Sequence, residues 1–133
     1  MKTVFADTFF FLAAVNRSDP LHREALRVYA RADHEFVTTT WVLTELADAL
    51  ANREERSAFV RSLRLVQRDP KFRIVPATQR LFERGVELYA QRPDKDWSLT
   101  DCISFVVMGD EKMTDAATGD RHFEQAGFTI LLK

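Results

Sequence analysis

Along the whole chain, short apolar runs of strand character alternate with stretches whose apolar residues recur at helical spacing. No other feature restricts the fold as tightly. A strand, a helix and a second strand return the chain to the same sheet in the same direction, so the strands pair in parallel and the helices cover both faces. The predicted strands are Thr3 to Ala6, "EFVTTT" at 35–40, "KFRIVPA" at 71–77, a lean "TDAAT" at 114–118 and "FTILL" at 128–132. Between them, helices are predicted over Phe9 to Val15, Trp41 to Ala51 and Ser57 to Gln67, and behind a Thr78 cap. Asp19-Pro20 reads as a helix start, with Leu21, Ala25, Val28, Tyr29 and Ala32 following at helical spacing. A helix in "WSLTDCISFVVMG" ends near Gly109, and a short one in "DRHFEQAG" stops at Gly127. The expectation is one domain over residues 1–133, a three-layer α/β/α sandwich around a short, mostly parallel sheet of about five strands.

The opening "MKTVFADTFFFLAAVN" has a basic residue before an apolar run, the outline of a secretory leader. Asp7 and Thr8 split that run, and no A-x-A pattern precedes Asn16. No stretch reaches the roughly 20 apolar residues of a membrane span. The single cysteine, Cys102, leaves no internal disulfide. The chain is read as cytoplasmic. Three consecutive phenylalanines, Phe9 to Phe11, cannot share one stripe of a helix, so that helix is buried all round or one ring joins a subunit contact.

With a net charge of −1, the molecule as a whole does not attract nucleic acid, and any such contact must come from local patches. Its 20 acidic residues are mostly scattered, but four fall at telling places. Asp7 directly follows the first strand and Asp120 the fourth; Asp101 opens a helix; Glu45 lies in a helix beside its apolar stripe. In an open parallel sheet the residues past the carboxyl ends of the strands share one edge, where ligands bind. Each acid has a plain reading too. Asp7, Asp101 and Asp120 suit helix capping, Ser98 and Asp101 having the spacing of a capping box, and Glu45 can extend to solvent. Taken together, four converging carboxylates would repel one another unless a divalent cation sat among them. Oxygen ligands of this kind select Mg²⁺ or Mn²⁺, and no Cys or His cluster has zinc spacing.

Four motifs in order, "FADTFF", "VLTELADAL", "SLTDCISF" and "TGDRHFEQAGF", make the sequence resemble the PIN-domain nucleases over nearly its whole length. It looks most like the VapC-type toxin ribonucleases of bacterial toxin–antitoxin pairs. The resemblance implies an acidic pocket holding Mg²⁺ or Mn²⁺ and hydrolysis of RNA phosphodiesters. Carried over residue by residue, Asp7, Glu45, Asp101 and Asp120 are the metal-binding and catalytic quartet, supported by the hydroxyls of Thr8, Ser98 and Thr118. It also implies a cognate antitoxin protein and a homodimer. The alternatives within the family are a nuclease outside a toxin–antitoxin pair and a non-catalytic nucleic-acid-binding module. Outside it stand a doubly wound phosphatase and a receiver domain. A receiver needs paired acids after its first strand and a lysine after its last, where this chain has Asp7 alone and only Lys133. A P-loop is unsupported with four glycines and no Gly-rich phosphate loop.

An acidic pocket that cuts a polyanion needs cations nearby. Arg61, Arg64 and Arg68 share a helix face and are candidate RNA contacts, as is Trp97 for stacking on a base, whereas Trp41 is assigned to the core. His122 is read as a surface or packing residue, and no histidine is required as a general base.

Overall fold

The computed structural model describes residues 1–133. Five strands, β1 (Lys2–Ala6), β2 (His34–Thr39), β3 (Phe72–Val75), β4 (Asp115–Ala117) and β5 (Thr129–Ile130), form one sheet in the order β3-β2-β1-β4-β5. Every pairing is parallel. The seven helices are α1 (Thr8–Val15), α2 (His22–Ala30), α3 (Thr40–Ala49), α4 (Arg56–Arg68), α5 (Gln79–Gln91), α6 (Leu99–Asp110) and α7 (Arg121–Gln125). Helices α1, α2 and α4 pack together with β2 and β3, while α5, α6 and α7 pack as a second group. Right-handed crossovers in opposite directions from the centre put the two groups on opposite faces of the sheet, giving the expected three layers.

β1 is the central strand, and the topology reverses there, with β2 on one side and β4 on the other. Val4, Phe5 and Ala6 have no exposed surface, as expected of a strand covered on both faces. The pairing with β4 continues past the strand, the Asp7 amide donating to the Ala117 carbonyl at 3.4 Å. This register brings the residues after Ala6 and Ala117 side by side.

α1 answers the question of the three phenylalanines: it is buried nearly all round. Phe10 stacks on Phe36 with ring centroids 5.7 Å apart, Phe11 lies against Phe72 at 6.1 Å, and the half-buried Phe9 packs on the core. Such ring pairs add about 0.5–1.5 kcal/mol each beyond their burial. No subunit contact is needed to account for them.

Three boundaries differ from the reading of the sequence. α2 begins at His22, not at Asp19-Pro20, because the Asp19 carboxylate accepts the Leu21 amide (2.8 Å) and closes a turn ahead of the helix. It ends at Ala30, so Ala32 lies outside it. The last strand is only Thr129–Ile130, although the Leu131 and Leu132 amides still donate to Ala116 and Thr118. Gly127, at φ +98°, stops α7 as expected. No helix is long and apolar enough to cross a membrane.

Candidate active site

β1 and β4 end side by side, and the loops leaving them carry Asp7 and Asp120. Asp7 occupies the N-cap position of α1, yet its side chain makes no capping bond. It accepts instead from the Thr118 hydroxyl, Oγ1 to Oδ2 at 2.9 Å. The same Thr118 oxygen accepts the Asp120 amide at 3.0 Å, so one buried hydroxyl ties the two strand ends together. Thr8 donates to Oε1 of Glu45 at 2.5 Å, joining the start of α1 to α3. α3 is positioned for this by Thr39, whose hydroxyl accepts the Val42 amide where β2 passes directly into the helix.

At the start of α6, Ser98 and Asp101 form the predicted capping box. The Asp101 amide donates to Ser98 Oγ at 3.0 Å, and the Ser98 amide donates to Asp101 Oδ2 at 3.2 Å. Asp120 caps α7 by accepting the His122 amide at Oδ1, 2.9 Å. The His122 ring then lies between two acids, Nδ1 being 3.1 Å from Asp101 Oδ2 and 3.4 Å from Asp120 Oδ1. One ligand atom from each of Asp101, Asp120 and His122 fits within 4.8 Å.

The four acids are thus joined by three bridging side chains. Thr8, next to Asp7 in the chain, reaches Glu45; Thr118 links Asp7 to Asp120; His122 links Asp120 to Asp101. Capping and convergence are not rivals here, because Asp101 and Asp120 do both. Each acid has one oxygen held by a neighbour: Oδ2 of Asp7, Oε1 of Glu45, Oδ2 of Asp101 and Oδ1 of Asp120. The other oxygen of each has no side-chain partner.

Electrostatics follow from this crowding. Burial pushes the Asp7 carboxyl up to about 7; the Thr118 hydroxyl opposes the rise, and the charges of Asp101 and Glu45 add to it. Asp101 is also raised, first by burial and then by the charge of Asp120, against the Ser98 amide and His122. Carboxylates crowded past the ends of β1 and β4 suit a hard divalent cation, which would relieve both effects.

Of the three hydroxyls proposed as supports, Thr8 donates to Glu45, Thr118 donates to Asp7 and Ser98 accepts the Asp101 amide. Other expectations need correction. His122 is no mere surface residue, since its ring connects Asp101 to Asp120. The signal for it was Asp120 as a helix cap, which turns the second residue of the helix back toward the cap. Trp97 is only 6% exposed: its indole N–H donates to Gln125 (3.1 Å) and its ring meets Phe105 edge-on. Its faces serve the core and the Arg92 guanidinium, leaving none for a base. Trp41, assigned to the core, is the half-buried one of the two.

Arg61, Arg64 and Arg68 are exposed as expected, but they are not gathered with the acids. α4 delivers the chain to the amino end of β3 through Asp69, Pro70 and Lys71, whereas the carboxylates follow the carboxyl ends of β1 and β4. Arg68 therefore lies at the opposite edge of the sheet. Asp69 and Lys71 anchor that edge, Asp69 accepting from the Tyr29 hydroxyl and Lys71 donating to the Tyr29 carbonyl. Arg92 and Lys95 line an open groove of about 1000 Å³ beside Ser98.

A family model described as PIN domain matches residues 4–129. The 23S rRNA-specific endonuclease VapC20 of Mycobacterium tuberculosis is 29% identical over 125 residues, covering 94% of this chain and 95% of that protein. The crystal structure of M. tuberculosis VapC20, described as a sarcin-ricin loop cleaving toxin, superposes with a TM-score of 0.85 at 28% identity, covering 95% of this chain and 96% of the other. VapBC2 from Rickettsia felis, solved bound to a promoter DNA fragment, shares the fold with a TM-score of 0.68 at 13% identity, covering 96% of each chain.

Proposed function

This chain belongs to the PIN-domain family, and we propose that it is a divalent-metal-dependent endoribonuclease, the toxin of a toxin–antitoxin pair. The observation that carries the reading is the set of four carboxylates from distant segments, each with one oxygen tied and one free. Asp7, Glu45, Asp101 and Asp120 are the metal-binding and catalytic residues in this reading, and Mg²⁺ or Mn²⁺ is the cofactor. When bound, the cation lowers the pKa of a coordinated water and stabilises charge on the phosphoryl oxygens. The chain's own residues do the rest. Thr8, Thr118 and Ser98 hold the acids in place, and burial of Asp7 keeps bulk water away from the reacting edge. Arg92 and Lys95, in the groove beside Ser98, are candidate contacts for the RNA backbone.

RNA is the favoured substrate because a relative similar in both sequence and structure is described as a 23S rRNA-specific endonuclease. An antitoxin protein and a second copy of the chain complete the reading. Phe82, Val86 and Tyr89, at i, i+4 and i+7 on α5, are left open to solvent, as a subunit contact requires. Light scattering of the purified chain checks the dimer.

The test of the chemistry is cleavage of a structured RNA in EDTA, Mg²⁺ or Mn²⁺ by the parent, Asp7→Asn and Asp101→Asn. Cutting is expected only from the parent with a cation, while circular dichroism of all three proteins stays alike. Equal cutting by all three, or cutting in EDTA, removes the assignment.

A further inference from the structure

We propose that His122 is a positioning residue of this site, one that commits Oδ2 of Asp101 to the protein and leaves Asp101 a single oxygen for the cation. The inference rests on the nuclease reading above. A capping box is complete with one backbone donor on the acid, and the Ser98 amide already supplies it at 3.2 Å. His122 adds a second donor to that same oxygen, with Nδ1 at 3.1 Å. The same nitrogen is 3.4 Å from Asp120 Oδ1, which also accepts the His122 amide. A nitrogen placed between two carboxylate oxygens has only acceptors around it, so it donates. This fixes the tautomer with hydrogen on Nδ1 and makes the ring a strut between the start of α6 and the start of α7.

The consequence is one of denticity. Ca²⁺ favours seven or eight ligands and takes carboxylates through both oxygens, whereas Mg²⁺ and Mn²⁺ favour six with one oxygen from each acid. With Oδ2 held by two donors, Asp101 cannot turn to offer both oxygens. Asp120 is held at its Oδ1 from the same residue and is restricted likewise. Without the ring, Asp101 keeps only the Ser98 amide and loses its link to Asp120. Both carboxylates then gain freedom to rotate, so affinity for the small cation falls and its advantage over Ca²⁺ narrows. Outer partners of this kind alter metal affinity by about 10–100-fold.

The experiment titrates Mn²⁺ into the parent, His122→Ala and His122→Asn, followed by calorimetry and by the electron paramagnetic resonance of free Mn²⁺, with Ca²⁺ as competitor. Asparagine retains an N–H donor near the position of Nδ1. Melting of each protein in EDTA verifies that it is folded. The expected result is about tenfold weaker Mn²⁺ binding and stronger Ca²⁺ competition in His122→Ala, with most of the loss restored in His122→Asn. In RNA cleavage at saturating Mn²⁺, kcat falls in the alanine variant while KM for RNA holds. Equal Mn²⁺ affinity in parent and His122→Ala overturns the proposal and leaves the nuclease reading intact. Equally weak binding by the two folded variants also overturns it, since the ring would then be a ligand and not a strut. A parent that binds no Mn²⁺ overturns the nuclease reading itself, and the proposal with it.

Discussion

Replacing Asp7 by asparagine should stabilise the metal-free protein at alkaline pH, although the substitution removes a residue from the heart of the site. Asp7 is 4% exposed, and burial raises its carboxyl from 3.8 to about 7 in the folded chain. The unfolded chain releases that proton near its ordinary value, so between the two pKa values the folded state binds more protons than the unfolded. Stability from this group is therefore greatest below the unfolded value and declines as pH rises toward 7. About 3 units at 1.36 kcal/mol each amount to roughly 4 kcal/mol of penalty above pH 7, of which about 3 kcal/mol develops between pH 5 and 8. Asparagine is neutral at both and keeps an oxygen for the Thr118 hydroxyl. Asp101, raised in the same direction, is present in both proteins and largely cancels in the difference. The assay is thermal and urea unfolding of the parent and Asp7→Asn in EDTA at pH 5 and pH 8. For a chain of this size each kcal/mol moves Tm by roughly 3–5 °C, so the variant should gain on the order of 10 °C over the parent across that interval. Mn²⁺ at pH 8 should raise the parent's Tm and barely move the variant's. Parallel pH–stability curves for the two proteins would refute the reasoning, since Asp7 would then ionise as freely as an exposed acid.

Thr118→Val should cost about 1–3 kcal/mol in urea unfolding, because it strips the Asp120 amide and Asp7 Oδ2 of their shared hydroxyl; an unchanged midpoint would mean that the two strand ends are not joined through it. Gly85→Ala should destabilise by roughly 1–3 kcal/mol, since its new Cβ would lie 2.3 Å from Ile103 Cγ1 where α5 crosses α6; a Tm equal to the parent's would show that these helices can part at little cost. Replacing Arg61, Arg64 and Arg68 together by alanine should leave RNA cleavage unchanged, as they lead to the sheet edge away from the acids; a tenfold loss would place the substrate on α4.

The alternation of strands and helices was legible because it depends on local pattern. The rule that places residues past parallel strand ends on one edge put Asp7 and Asp120 on the same edge, but that β1 and β4 are neighbours comes from the structure. The hydroxyls of Thr8, Ser98 and Thr118 come from the family resemblance; their partners Glu45, Asp101 and Asp7 come from the structure. What escaped was long-range. The position of His122 depends on how α7 sits against the start of α6, which no periodicity encodes. Trp97 stands just before a capped helix and looks exposed in sequence, but Phe105, about two helical turns further on, comes back beneath it. The arginine stripe was correctly placed on one face of α4, yet a face says nothing of which sheet edge it approaches. Asp19-Pro20 failed for a local reason: a carboxylate that can cap a helix can equally close a turn two residues later.

Thr118 holds residue 7 against residue 120 by a contact spanning almost the entire chain. During synthesis the first strand therefore leaves the ribosome without its β4 neighbour, and the acids after it remain apart until residue 120 has emerged. Truncated or stalled products cannot assemble the cluster at all. A cell making this enzyme is spared its activity in every nascent copy, and any binding protein that arrives by the moment of release has only finished molecules to restrain.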